Sequence, residues 1–322
     1  MRETEFLGEI VGQTPALQVL RHAWQEQRLS HAYRFSGPPG CGKTTTAVRL
    51  AREIILHDDP AGRGLLDHEA HPDLMMITIP ANKTQIGVDQ VAREMNSWIY
   101  MRPTRAHHKV VVIPEADRFS LPAANAMLKT LEEPPEYAVI ILISEQEGMM
   151  ETIISRCQNV RFLPLHDEAM TGLLQQQGVA PEKIADLVKV AQGSAGVALD
   201  LAEGEVLQEY ETEAVQLCSA IASGQLPALF QVAAALEKRP LLIYFMEMGL
   251  RDFYYFAQSK STAGLRFPEQ VALYQRWEIK NSEIALEQLR EINRLRGYYS
   301  GAVNKGLISI NLAWCMWKLF HS

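Results

Sequence analysis

The chain has 322 residues, 47% of them hydrophobic and 21% charged. That length accommodates about two domains of roughly 150 residues with a sizeable core, and the composition excludes a disordered, collagen-like or disulfide-scaffold protein. With 31 Lys and Arg against 38 Asp and Glu, the formal charge of −7 argues against a surface that coats nucleic acid all round, while a local basic face is allowed.

The four cysteines, Cys41, Cys157, Cys218 and Cys315, lie far apart, so neither a zinc knuckle nor a redox pair is spelled out and reduced thiols in a cytoplasmic protein are expected. The first residues lack a signal-like apolar stretch and no window approaches a membrane span, so neither secretion nor membrane insertion is expected. Charge is uneven along the chain: residues 145–213 hold 13 acidic and 4 basic side chains, residues 260–322 hold 5 acidic and 9 basic ones. Two solvated helical surfaces are the expected reading, ahead of a bias toward particular partners.

In chain order, Ala16 to Gln25 reads as an amphipathic helix, Tyr33 to Ser36 as a short strand and Thr44 to Ile55 as a helix after a glycine-rich turn. A loop is expected over Leu56 to Pro72. Leu74 to Ile79, Val110 to Ile113 and Val139 to Ile143 read as buried strands, with a helix over Ala123 to Leu131. Strands alternating with helices imply a parallel sheet covered by helices. Beyond Pro164 the pattern is helical: His166 to Gln176, Pro181 to Ala191, Gly196 to Ala202, and then long helices from Glu205 to Ser322 with breaks near Arg239-Pro240 and Ala263 to Pro268.

Gly37-Pro38-Pro39-Gly40-Cys41-Gly42-Lys43-Thr44 fits G-x-x-x-x-G-K-[ST] after a strand and before a helix. Gly37, Gly40 and Gly42 let the loop offer backbone N–H groups to phosphate, the helix start adds partial positive charge, Lys43 reaches the terminal phosphates and Thr44 can ligate magnesium. Such a loop requires an acidic residue at the end of a neighbouring strand to hold the magnesium. Here Val110-Val111-Val112-Ile113 is followed by Pro114-Glu115-Ala116-Asp117.

These residues, together with Ile10-Val11-Gly12-Gln13, Ser30-His31-Ala32-Tyr33, the run Leu128-Lys129-Thr130-Leu131-Glu132-Glu133-Pro134-Pro135 and Ser155-Arg156-Cys157, resemble the AAA+ sliding-clamp-loader family, specifically over about residues 10–165. The resemblance implies an α/β P-loop AAA+ module over 1–164 with a parallel sheet and flanking helices, a small helical lid domain over 165–206 and an all-α oligomerisation domain over 207–322. It also implies an arginine finger, Arg156, donated to ATP on a neighbouring subunit. A guanidinium at a γ-phosphate neutralises charge developing in the transition state. Thr45, Val11 and Ser144, the last at the position of a first nucleotide sensor, complete the residues expected against ATP.

Departures from the family pattern narrow the expectation. Motor members carry Asp-Glu-Ala-Asp, whereas Pro114 offers magnesium no carboxylate; Glu115 aligns with the residue that polarises water, as a degenerate remnant. The second-sensor arginine is missing from Gly193-Ser194-Ala195-Gly196-Val197-Ala198-Leu199. This pattern resembles the non-motor, delta-prime-type members of the bacterial DNA polymerase III clamp loader, with weak or no hydrolysis of its own. The resemblance implies gamma/tau-type ATPase subunits, the delta subunit, the sliding clamp and primer–template DNA as partners, with no membrane role. Many relatives insert a four-cysteine zinc module after the P-loop helix; His57 to His71 contains no cysteine, so no zinc is expected there. Two alternatives stay open: an active AAA+ motor ATPase that tolerates Pro114, or a AAA+ subunit of a recombination complex.

Two further features have ordinary structural explanations beside functional ones. Arg102, Arg105, His107, His108 and Lys109 form a basic run, either a phosphate contact or a solvated loop. Tyr254, Tyr255, Phe256, Tyr298, Tyr299, Trp314 and Trp317 recur at helical spacing and read as core or helix–helix interface rather than base-stacking residues.

Overall fold

The computed structural model describes residues 6–8, 10–81, 83–145, 149–203, 207–298 and 304–322. The chain divides into two compact units, one comprising residues 1–173 with Gly193–Gly196, the other Leu174–Gln192 with Val197–Ser322. The expected boundary at 206 and Tyr299 lie outside the described residues.

The first unit is a five-stranded, wholly parallel sheet in the order β2-β3-β4-β1-β5. Its elements are α1 (Thr14–Gln25), β1 (Ala32–Ser36), α2 (Lys43–Asp58), α3 (Arg63–Asp67), β2 (Leu74–Met76), α4 (Asn96–Ile99), β3 (Lys109–Ile113), α5 (Leu121–Glu132), β4 (Ala138–Ser144), α6 (Glu151–Ile154) and β5 (Gln158–Arg161). Every residue of β3 and β4 is buried, as expected of strands covered on both faces. Alternation along the strands sorts side chains into two cores. Tyr33, Phe35, Val110, Val112, Ile141 and Ile143 pack with Leu50 and Ile54 of α2. Ala32, Val111, Ile113, Ile140 and Leu142 pack with Met127 and Leu131 of α5.

Several local expectations need correction. The stretch from Leu56 to Pro72 is not all loop: a short 3₁₀ turn at Pro60–Gly62 leads into α3. β2 ends at Met76 rather than Ile79, because only three of its residues pair with β3. A π-helical turn over Gln90–Met95 running into α4, and the strand β5, had no distinct sequence signal. β5 is an edge strand, and of its four residues only Val160 is buried, so no apolar run marks it.

α7 (Asp167–Gln176) begins in the first unit and ends in the second. α8 (Pro181–Ala191), α9 (Ala195–Glu203), α10 (Leu207–Ala222), α11 (Leu226–Lys238), α12 (Leu242–Ser259), α13 (Val271–Tyr274), α14 (Ser282–Gly297) and α15 (Lys305–His321) follow. Within the second unit α15 packs against both α11 and α14, and α10 against α12. Asn281 caps α14 by accepting the N–H groups of Glu283 and Ile284, and Asn304 caps α15 by accepting that of Leu307. Additional breaks fall between α10 and α11, where Gly224 takes a positive φ, and between α13 and α14. Among the aromatics, Phe256 is core, but Tyr255 is 45% and Trp314 41% exposed; Trp314 stacks on Trp317 with centroids 5.2 Å apart.

Candidate functional site

In a parallel sheet, ligands bind beyond the carboxyl ends of the strands, where the chain leaves in opposite directions. Here β1 lies between β4 and β5, and the phosphate loop leaves its end to start α2. Gly37 has φ +149° and lies so close to β5's exit that a Cβ would stand 2.4 Å from the Phe162 carbonyl oxygen. Gly40, at φ +71°, is pressed against the 193–196 segment: a Cβ would stand 2.0 Å from Ser194 Oγ. Gly196 N–H donates to the Gly40 carbonyl at 3.1 Å. Side chains at either position would therefore collide with the backbone or its neighbours.

Gly42 precedes α2 and Lys43 opens it. The Lys43 side chain is 3% exposed and turns back into the loop, where Nζ donates to the Pro38 carbonyl at 2.6 Å. Cys41 Sγ lies 2.9 Å from the same carbonyl and 3.8 Å from Nζ. Burial raises the Cys41 thiol pKa; the Lys43 charge opposes this and Glu145 adds to it. Thr44 and Thr45 are exposed on the first turn of α2. The N–H groups opening a helix have no intrahelical acceptor, so this loop and helix start fit a phosphate.

The donor set for magnesium fits less well. β3 ends at Ile113 and is followed by Pro114, and the next side chain, Glu115, has its Oε1 4.0 Å from Arg118 Nε. Asp117 Oδ2 accepts the N–H of Glu145 at 3.3 Å. Ser144, at the end of β4, is buried, and its hydroxyl accepts from Arg34 Nε at 3.1 Å. Among the described residues no cluster of three or more His, Cys, Asp or Glu side chains could hold a metal ion.

Three residues given no individual role from sequence shape the site. Gln13 is 2% exposed; its Nε2 donates to the carbonyls of Cys41 at 3.1 Å and Leu163 at 2.7 Å, and its Oε1 accepts from Leu163 N. It thereby joins the loop to the segment after β5, while half-buried Val11 lies two residues upstream. Glu145 brings a carboxylate oxygen to 3.8 Å from Lys43 Nζ. Its signal was position: the first residue past a buried strand adjoining both β1 and β3. Glu132, the last residue of α5, holds Arg156.

Arg156 sits in the turn between α6 and β5, with contacts separate from the phosphate loop. One guanidinium nitrogen donates to the Thr152 carbonyl at 2.8 Å, and another pairs with Glu132 Oε1 at 2.7 Å. Arg156 and Glu132 are 35% and 50% exposed, so the pair lies at the surface. The adjoining Cys157 is pushed up to about 11 by burial, with Arg34 acting in the opposite direction.

The basic run before β3 does not present its charges outward as a set. Arg105 pairs with Asp59 at 2.6 Å, His108 Nδ1 lies 2.8 Å from Asp58, and buried Lys109 donates to the Trp98 carbonyl while lying 4.1 Å over its ring. His71 is buried between Asp59 and the Asp73 backbone, and His57 stands edge-on to Trp24. These contacts give Arg105, His108, Lys109, His71 and His57 structural roles.

A family model described as DNA polymerase III, delta subunit, matches residues 12–166. The chain is 30% identical over 251 residues to DNA polymerase III subunit delta' of Escherichia coli strain K12, covering 74% of each chain. It belongs to the AAA+ clamp-loader family of DNA polymerase III subunits. The delta' subunit of Bacillus subtilis strain 168 is 31% identical over 216 residues, 64% of both chains. The tau subunit of the same organism is 33% identical over 208 residues, 61% of this chain and 35% of tau. The chain therefore spans 64% and 74% of the two delta' relatives and about a third of tau.

Proposed function

We propose that this chain is a delta-prime-type, non-motor subunit of a bacterial clamp loader, acting with gamma/tau-type ATPase subunits and a delta subunit to place a sliding clamp on primer–template DNA. The observation that carries this reading is the mismatch between a phosphate loop complete in sequence and a strand end that has Pro114 in place of its magnesium carboxylate. Such a pocket can hold ATP, but it holds magnesium poorly and hydrolyses slowly or not at all, because the charge on the transferred phosphoryl group lacks its usual compensation. Arg156 would instead act on the ATP of a neighbouring subunit, which its surface position supports. Division into a module (1–164), a lid (165–206) and a collar (207–322), and a cytoplasmic location, complete the proposal. Among the described residues, no helix is long and apolar enough to cross a membrane.

The test is to reconstitute the complex with Arg156→Ala or Lys43→Ala and measure DNA-stimulated ATP turnover and clamp loading. Arg156→Ala should leave assembly intact, since an exposed ion pair contributes about 0.2–1 kcal/mol to stability. It should slow turnover at the affected site by roughly tenfold or more, because the guanidinium acts mainly in the transition state. Lys43→Ala should do much less. Equal rates for Arg156→Ala and wild type would remove the trans-acting role. A larger loss from Lys43→Ala, together with turnover by the isolated wild-type chain, would favour a motor subunit.

A further inference from the structure

The ammonium at the heart of the phosphate loop already faces a carboxylate. Lys43 is almost wholly buried, and its Nζ lies 2.6 Å from the Pro38 carbonyl and 3.8 Å from Glu145 Oε1. Glu145 reaches it from the end of β4, the strand between β1 and β3. Its backbone N–H donates to Asp117 Oδ2, which ties the turn after β4 to the turn after β3. The Cys41 thiol responds to both charges, so Lys43 and Glu145 act electrostatically on the same point of the loop.

In a P-loop, backbone N–H groups hold the inner phosphates and the lysine reaches the outermost ones. A triphosphate here would bring its terminal phosphate toward an ammonium already paired with Glu145, and a magnesium ion would find no carboxylate at position 114 to help neutralise the added charge. A diphosphate brings less charge to that point while still using the backbone and the helix start. We propose that Glu145 is a built-in counter-anion of Lys43 that determines nucleotide specificity, making this pocket selective for a nucleoside diphosphate over the triphosphate. The proposal rests on the reading of the loop as a nucleotide site. Glu145 is a specificity determinant and takes no part in bond-making.

The experiment is calorimetric titration of the purified full chain with ADP and with ATP, each with and without Mg²⁺, for wild type, Glu145→Gln and Glu145→Ala. Wild type should bind ADP about tenfold more tightly than ATP, and both variants should tighten ATP about tenfold while changing ADP less than about threefold. Lys43→Ala should weaken both nucleotides, since the backbone N–H groups and the helix start then hold the phosphates without the ammonium. Unchanged ATP affinity in both Glu145 variants would overturn the proposal. So would weaker ATP binding confined to the Mg²⁺ titrations, which would make Glu145 a metal ligand, and so would the absence of nucleotide binding in every protein. Absence of binding would also remove ATP from this pocket, while the trans-acting role of Arg156 is tested separately by its variant in the assembled complex.

Discussion

The segment leading into β3 has no regular structure of its own, yet one buried carboxylate anchors it. Asp73 is fully buried and accepts the backbone N–H groups of Thr104 at 2.7 Å, Arg105 at 2.7 Å and Ala106 at 2.9 Å. Asp73→Ala leaves three donors without an acceptor. The Ala106 bond is buried and its loss should cost ~2–3 kcal/mol, while the other two groups are nearer the surface, recover some hydration and should cost ~1 kcal/mol each. The sum is about 4–5 kcal/mol, which for a unit of this size lowers the melting temperature by ~8–20 °C. Asp73→Asn retains one carbonyl oxygen but turns an amide group toward the remaining donors, so about half the loss is expected. Calorimetry on the full chain, following the transition of the sheet-containing unit, gives the magnitude. Hydrogen exchange at residues 104–106 shows whether the loss is local to this loop. A loss below about 1 kcal/mol for Asp73→Ala, or unchanged protection at those three amides, would refute this account of the loop.

Further outcomes concern two ionisable groups. Glu247 of α12 is fully buried between Arg251 and Arg296, each 2.8 Å away; burial raises its pKa against the pull of Arg296 and Arg251. Its protonated form therefore adds stability below the unfolded value of 4.5 that is lost as pH rises through the higher native value, so Glu247→Gln should flatten the pH dependence of urea unfolding of the helical unit. Glu247→Ala should destabilise that unit by about 3–5 kcal/mol at neutral pH by stranding Arg296, and an unchanged unfolding midpoint would contradict this. Asp58 is depressed: burial pulls it up, but the His108 ring and the N–H groups of His107 and His108 outweigh that. Its stabilisation is full above the unfolded value of 3.8 and disappears as pH falls through the lower native value, so Asp58→Asn should make the sheet-containing unit less sensitive to acid below pH 3.8.

What the amino-acid sequence discloses about this protein follows the range of the interactions involved. The phosphate loop was legible because its constraints are local: glycines at fixed spacing, a lysine at the helix start and a strand immediately before. β3 and β4 were legible because burial on both faces demands an uninterrupted apolar run. β5 was not, since an edge strand with one buried side chain is specified by its parallel register with Tyr33 to Ser36, which no local pattern encodes. The polar side chains that hold the site were hidden for the same reason. Gln13 binds Leu163 across 150 residues of chain, and Asp59 binds Arg105 across 46, so no local pattern in the sequence names either partner. Glu145 lies between these extremes. Once β4 is known to adjoin both the loop-bearing strand and β3, the residue after Ser144 must emerge beside the phosphate loop, and its charge then acts on whatever Lys43 contacts. The strand order, more than the motif, therefore decides which acidic residues can influence bound phosphate, and it gives Glu145 that influence where Pro114 has none.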